Sequence, residues 1–172
     1  MEKVRPEGFF NLFLQGQAQP YGYRYRVLDH HDQTFEFIDP YTFPPVLSDF
    51  DLHLMGEGNH YKKYEKLGAH LRVMEEVSGV QFAVWAPNAR RVSVIGDFKR
   101  WDGRRHPMRV RGSTGIWELF IPGLGEGTLY KFEIKARYSN YLAAKADPYG
   151  FLFERTPKTA TVVDDQHPYE RH

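Results

Sequence analysis

Residues 116–136, "IWELFIPGLGEGTLYKFEIKA", indicate the fold class of this 172-residue chain. Apolar and polar residues alternate in two runs, "IWELFIPG" (116–123) and "LYKFEIKA" (129–136), which is typical of strands with one buried face. The positions expected to face a core are Trp117, Leu119, Ile121, Tyr130, Phe132 and Ile134. Lys131, Glu133 and Lys135 fall on the other face of the second strand. The glycines of "GLGEG" (123–127) predict a hairpin turn between the two strands.

Further strands are predicted on both sides of this pair. "VQFAVWAP" (80–87), "RVSVIGD" (91–97) and "TATVV" (159–163) are short runs rich in β-branched residues and bounded by turn residues. Strand starts about ten residues apart are typical of an antiparallel sandwich. Trp85, the last residue before "APNA", is expected to be buried or half-buried.

Only residues 48–76 lack this strand pattern, and they predict a helical connector. "SDFDLHLMGEG" (48–58) begins with a capping box formed by Ser48 and Asp51 and stops at Gly56. "NHYKKYEKLG" (59–68) has an apolar stripe at helical spacing and ends at Gly68. Two short helices are therefore expected.

An internal repeat relates the two ends of the chain. "FNLFLQG" (10–16), "YRYRV" (23–27) and "DPYTF" (39–43) match, in order, "WELFIPG" (117–123), "YKFEI" (130–134) and "DPYGF" (147–151). The alternative is a chance likeness between two β meanders. The repeat predicts residues 1–47 as the C-terminal part of a first β-sandwich, 48–76 as the connector and 77–172 as a second, immunoglobulin-like sandwich. At this offset roughly thirty residues of the first sandwich are expected before Met1.

Composition excludes several classes of function. Lys and Arg (23) balance Asp and Glu (22), so the strong positive charge of a nucleic-acid-binding domain is absent. There is no cysteine, no apolar run long enough for a membrane span and no signal peptide, which suits a cytoplasmic protein without a membrane partner. His30 and His31 have no third ligand at a suitable spacing, so neither a metal nor a cofactor is expected.

A tryptophan in a charged loop supplies the candidate binding site. Trp101 follows a predicted strand within "GDFKRWDGRR" (96–105). An aromatic ring there can fold back as a lid on the core, or stand out as a platform for the apolar face of a sugar, with Asp97 and Lys99 close enough to bind hydroxyls. No pair of carboxylates or nucleophilic triad is evident, so no catalytic residue is expected within the chain.

These stretches resemble the N-terminal region of bacterial glycogen branching enzymes. The resemblance rests on "GVQFAVWAPNARRVSVIGDFKRWDGRRHPM" (79–108), "TGIWELFIPG" (114–123), "EGNHYKKYEKLGAH" (57–70) and "ADPYGFLFERTPKTATVV" (146–163). It implies a carbohydrate-binding module in which a tryptophan at Trp101 and a lysine at Lys131 contact glucose units. A second stacking tryptophan found in related modules has no clear equivalent. The chain offers only Tyr138 and Tyr141 in its place, and Tyr141 is taken as the candidate.

The family forms α-1,6 branches in α-1,4-glucan on an α-amylase-type (β/α)₈ barrel with an Asp nucleophile and a Glu acid/base. The resemblance places that barrel after residue 172, so this segment alone is expected to be inactive, to contact glycogen and to brace the barrel. Two alternatives stay open: a stand-alone glycogen-binding or targeting module, and a purely structural β module. An uncovered apolar face on residues 1–45 also predicts pairing with a second copy of the chain or packing on the connector.

Overall fold

The computed structural model describes residues 1–16 and 22–165. Residues 17–21 of the predicted range 1–47 and residues 166–172 of the predicted range 77–172 lie outside the described residues. One α-helix, α1 (Asp49–Gly56), and short 3-10 turns at Pro40–Thr42, Lys63–Glu65 and Asp97–Lys99 interrupt a structure made of strands. The strands are β1 (Glu2–Arg5), β2 (Phe9–Asn11), β3 (Arg24–Leu28), β4 (Thr34–Ile38), β5 (Gly68–Met74), β6 (Val77–Trp85), β7 (Ala89–Gly96), β8 (Arg109–Val110), β9 (Ile116–Pro122), β10 (Leu129–Ala136), β11 (Leu142–Lys145), β12 (Leu152–Phe153) and β13 (Thr161–Val162). No helix in the described ranges is long and apolar enough to cross a membrane.

Two antiparallel sheets form a sandwich from Gly68 onward. One has the strand order β5-β6-β9-β8. In the other, β10 pairs with β7 and also with β11 and β13, and β12 pairs with β13. The facing sides of the sheets enclose one apolar core, which contains Phe82, Val94, Trp117, Tyr130 and Phe132 among others. This arrangement confirms the predicted antiparallel, immunoglobulin-like sandwich.

The two strands of the opening stretch lie in different sheets, so the predicted hairpin at residues 123–127 is wrong. β9 pairs with β6 and β8, whereas β10 pairs with β7, β11 and β13. Residues 123–128 therefore cross the sandwich from one sheet to the other. The alternation identified the buried faces correctly because both strands face the same core. It carries no information on which strand each one pairs with.

The connector is shorter and less helical than predicted. α1 has the predicted capping box, in which the Ser48 hydroxyl and the Asp51 carboxylate each bond the other residue's backbone N–H. The second predicted helix is a single 3-10 turn at Lys63–Glu65. Residues 68–74, predicted as connector, form β5 and pair along their length with β6. The sandwich consequently begins at Gly68 and not at residue 77.

The segment before β5 covers the outer face of the four-stranded sheet. Leu47 and Leu52 pack with Leu67, Ala83 and Ile116 in a second buried cluster. Beneath them Glu118, 2% exposed, accepts hydrogen bonds from the backbone N–H groups of Val46 (3.2 Å) and Leu47 (3.1 Å) and from Arg111. β9 is therefore buried on both faces.

The N-terminal residues form two hairpins, β1–β2 and β3–β4, that pair with no other strand of the described chain. Many of their apolar side chains are at least one-third exposed, including Phe9, Phe10, Phe13, Val27, Phe35 and Phe37. A groove with a volume of about 1110 Å³ separates β3–β4 from the sandwich. Phe50 and Tyr64 of the connector, the residues expected to receive such packing, are themselves 69% and 44% exposed.

Candidate functional site

The candidate site lies where β7 ends at the edge of the five-stranded sheet. Gly96, its last residue, is opposite Tyr130 of β10, and the chain then forms the 3-10 turn Asp97–Lys99. The Gly96 carbonyl accepts a hydrogen bond from the backbone N–H of Trp101 at 2.8 Å. We call residues 96–105 the Trp101 loop.

The two residues at the tip of this loop have an unusual backbone conformation. Arg100 (φ 55°) and Trp101 (φ 59°) are both left-handed although neither is glycine. This conformation costs about 1–2 kcal/mol per residue. The Trp101 side chain is 39% exposed. Trp101 is thus neither a buried lid nor a fully extended platform, and part of the residue is accessible from solvent.

Charged side chains surround the tryptophan. Asp97, Lys99 and Arg100 are exposed. Asp102 accepts two hydrogen bonds from the Arg104 guanidinium (2.9 Å each) and one from its backbone N–H (3.0 Å). The Arg104 hydrogen bonds hold the pKa of Asp102 well below its ordinary value. Asp102 therefore shapes the loop, whereas Asp97, Lys99 and Arg100 are exposed polar groups that a ligand could reach.

Lys131 lies on β10 beside the start of the Trp101 loop, because its register partner in β7 is Ile95, next to Gly96. Its ammonium group donates a hydrogen bond to the Thr159 hydroxyl at 2.6 Å. The fold thus brings Asp97, Lys99, Trp101 and Lys131 to one end of one sheet. Thr159 adds a hydroxyl that no motif in the sequence singles out.

The base of the loop is anchored in the core. The Phe98 ring packs against the core cluster and against Gly96, where a Cβ atom would overlap the ring. Phe98 also makes an edge contact with His106, with the ring centroids 5.7 Å apart. Burial, together with the positive charges of Lys99 and Arg105, lowers the pKa of His106 to about 4. His106 is therefore neutral at pH 7.

Two aromatic residues lie elsewhere than the sequence suggested. Tyr141 is next to Ala136, at the opposite end of β10 from Lys131. The five residues from Lys131 to Ala136 span about 17 Å of strand. The fold does not bring Tyr141 to the Trp101 loop. Trp85 is 61% exposed, so the expectation that it is buried or half-buried is wrong. It falls on the outer face of the other sheet, opposite Ile116 of β9.

The chemistry of the site suits a neutral polyhydroxylated ligand. An aromatic face can cover the apolar C–H face of a sugar ring, while ammonium, carboxylate and hydroxyl groups bind the hydroxyls around it. Within residues 1–16 and 22–165, no group of three or more His, Asp or Glu side chains is arranged to hold a metal ion.

The chain is similar to known proteins that act on α-glucans. Residues 66–150 match the model of carbohydrate-binding module 48, the isoamylase N-terminal domain. The chain is 55% identical over 163 residues to a 1,4-alpha-glucan branching enzyme from Paramagnetospirillum magneticum, which covers 95% of this chain and 22% of that protein. It is 61% identical over 171 residues to the enzyme of the same name from Thermosynechococcus vestitus, covering 99% of this chain and 22% of that protein.

A solved structure, that of ligand-free pullulanase from Klebsiella pneumoniae, is 26% identical over 58% of this chain and 10% of its own, with a TM-score of 0.48. The match to carbohydrate-binding module 48 begins at residue 66, close to Gly68, where β5 begins to pair with β6. The chain spans about a fifth of the length of the two branching enzymes.

Proposed function

We propose that the chain is the non-catalytic, glucan-contacting part of a 1,4-alpha-glucan branching enzyme. The proposal is supported by the match of residues 66–150 to the model of carbohydrate-binding module 48 and by the similarity of the whole chain to part of such enzymes. The complete protein then transfers a segment of α-1,4-glucan to a 6-hydroxyl group and so makes α-1,6 branches. Its catalytic residues lie on a barrel outside these 172 residues, and the sandwich braces that barrel. We assign the complete protein to the cytoplasm.

The proposal is supported by the part-exposed Trp101 in a loop that begins next to Ile95, the register partner of Lys131. Trp101 would stack on a glucose ring, Lys131 would donate to its hydroxyls, and Asp97 and Lys99 would bind the neighbouring unit. Thr159 sets the position of the Lys131 ammonium through their 2.6 Å hydrogen bond. Tyr141 has no part in this site because it lies at the other end of β10.

Trp85 provides a matched control for a test of this site. It is a second exposed tryptophan, 61% against 39% for Trp101, but it lies on the other sheet. Stacking is worth about 1 kcal/mol, or roughly a fivefold change in affinity. In affinity electrophoresis on glycogen we expect Trp101→Ala to lose about that much retention and Trp85→Ala to lose none. Equal behaviour of the two variants would contradict the proposed site.

Absence of catalysis is tested separately. The purified chain, incubated with amylose, should leave the iodine colour unchanged because the acid/base and nucleophile of branching lie outside it. A loss of colour that scales with protein concentration would place catalytic residues within these 172 positions.

We propose that residues 1–47 are the C-terminal part of a first β-sandwich that repeats the second. Two features support this. β3–β4 and β10–β11 have the same pairing register when aligned by the repeat, with Tyr25 opposite Phe37 in one and Phe132 opposite Lys145 in the other. The apolar side of the first hairpin is open, as expected for half a sandwich.

An open apolar face of this kind favours a dimer through residues 1–45 when the face has no other cover. Burial is worth about 25 cal/mol per Å² of apolar surface. Sedimentation velocity over a range of concentrations should show a dimer that Phe37→Lys weakens. Monomers at all concentrations would rule the dimer out.

A further inference from the structure

The conformation at the tip of the Trp101 loop needs a support that holds it in place. Two successive non-glycine residues in the left-handed region are unfavourable, and they persist only where their surroundings fix them. The hydrogen bond from Trp101 to the Gly96 carbonyl fixes one side of the tip. On the other side the chain continues into Asp102 and Gly103.

Gly103 is buried although the residues on either side of it in this charged loop are at least partly exposed. A Cβ atom built on Gly103 would overlap the carboxylate of Glu133, which reaches up from β10. The backbone of the loop therefore rests directly on that carboxylate. Gly103 does not have a positive φ, so the absence of a side chain serves the close approach and not the backbone conformation.

The Glu133 carboxylate is itself fixed in position. Its side chain is 18% exposed and accepts a hydrogen bond from the Arg91 guanidinium of β7 at 2.7 Å. Glu133 lies two residues after Lys131 on the same face of β10. One rigid strand thus carries both the ammonium group proposed to bind glucan and the carboxylate on which the Trp101 loop rests.

We propose that Glu133, held by Arg91, is a positioning residue that sets the Trp101 ring relative to Lys131 by supporting the backbone of Gly103. This inference rests on the proposed function and adds to it a side chain that does not touch the glucan. The support makes the stacking surface ready before a ligand arrives, so little conformational freedom is lost on binding.

The test compares two glycine substitutions in the full chain. Gly103→Ala introduces a methyl group where the Glu133 carboxylate lies, whereas Gly125→Ala is a matched control with open space around it and no positive φ. Fluorine NMR of protein labelled with 5-fluorotryptophan reports on Trp101 without any ligand, and affinity electrophoresis on glycogen reports on binding. The Trp117 signal, from a residue 7% exposed in the core, shows whether the fold survives.

We expect Gly103→Ala to move or broaden the Trp101 signal and to weaken glycogen retention by about fivefold or more, the loss expected when stacking is lost. Gly125→Ala should match the wild type in both measurements. Adding Glu133→Ala to Gly103→Ala makes room for the methyl group, so the double variant should behave like Glu133→Ala alone. Glu133→Gln keeps the shape of the side chain but weakens its bond to Arg91, and it should broaden the Trp101 signal.

An unmoved Trp101 signal in both Gly103→Ala and Glu133→Gln would overturn positioning by Glu133. If the effects of Gly103→Ala and Glu133→Ala on glycogen retention were strictly additive in the double variant, positioning by Glu133 would also be overturned. Full retention on glycogen in Trp101→Ala would instead overturn the proposed glucan contact. The outcomes for the two ideas are therefore distinguishable.

Discussion

The hairpins β3–β4 and β10–β11 share their sequence pattern and internal bonding but differ in burial. The Tyr130 hydroxyl donates to Asp147 Oδ2 at 2.6 Å, and the Tyr23 hydroxyl donates to Asp39 Oδ2 at 2.6 Å. Asp147 Oδ1 and Asp39 Oδ1 each accept the N–H of the tyrosine two residues later, at 2.8 Å and 2.9 Å.

In each hairpin the hydroxyl-bearing ring also makes an edge contact with the aromatic ring two residues on, Tyr25 or Phe132, with centroids 5.2 Å and 5.7 Å apart. Yet Tyr130 is 1% exposed and Tyr23 is 38% exposed. The difference shows that these local bonds follow from the repeated residues, whereas burial depends on what packs against the hairpin. β6 and β7 cover and flank β10, as the contact between Phe82 and Tyr130 shows. No strand takes that place beside β3 in the described chain.

The largest expected difference is in the loss of stability when equivalent aromatic side chains of the two hairpins are removed. Phe132→Ala removes a ring that is 1% exposed, and we expect it to lower the free energy of unfolding by about 3–5 kcal/mol. Tyr25→Ala, at the matching position of the first hairpin, should cost about 1 kcal/mol, the value of its ring contacts. Urea unfolding followed by circular dichroism measures both. Equal costs would mean that β3–β4 is packed as tightly as β10–β11.

Between about pH 6.5 and 4, the pH dependence of the free energy of unfolding should also set the second hairpin's sandwich apart, through His106. The pKa of His106 is lowered to about 4 in the folded protein from 6.5, chiefly by burial. As pH falls from about 6.5 to 4, the unfolded chain binds a proton that the folded chain does not, so the free energy of unfolding falls. The full loss is about 3 kcal/mol.

Urea unfolding at pH 7 and pH 4.5 tests this dependence, with His106→Gln expected to remove most of it. His30→Gln, in the exposed turn between β3 and β4, should change nothing. The same pH dependence in wild type and His106→Gln would contradict the assignment to His106.

The smallest expected difference in stability is between variants that remove the hydroxyl of Tyr130 or of Tyr23, the two tyrosines at matching positions. Burial raises the pKa of Tyr130 and also that of Asp147, to which the Tyr130 hydroxyl donates its hydrogen bond. Tyr130→Phe leaves the buried Asp147 carboxyl short of a donor and should cost about 1–3 kcal/mol. Tyr23→Phe removes the same bond where water can replace it, and should cost less than about 0.5 kcal/mol. Thermal melting of the two variants compares them, and a larger loss in Tyr23→Phe would reverse the contrast.

The sequence predicted the faces of β10 because alternation is a local property. It did not predict β5, although Ala69, Leu71 and Val73 alternate with polar residues there. The β5–β6 turn is made of Glu75 and Glu76 with positive φ (48° and 64°), and glutamates do not carry the Asn-Gly signature of such turns. The pairing of β9 and β10 with other strands, and the exposure of Trp85, depend on tertiary contacts that no local pattern encodes.

For the candidate site, too, the sequence predicted some residues but not the contacts between them. Trp101 was conspicuous as an aromatic residue among charges, and the resemblance supplied Lys131. The roles of Glu133, Gly103 and Thr159 depend on contacts between β10, the Trp101 loop and the segment before β13. Tyr141 is an aromatic residue that follows β10, as the resemblance requires, but the turn into β11 places it at the opposite end of β10 from Lys131.

The most direct test of glucan binding at the Trp101 loop is an NMR titration of the uniformly labelled chain with maltoheptaose. Backbone amide shifts should concentrate in residues 96–105 and around Lys131 and Thr159. Residues 23–38 of the first hairpin and the surroundings of Tyr141 and Trp85 should stay unchanged. Shifts that cluster at β3–β4 or Trp85 and spare the Trp101 loop would contradict the account.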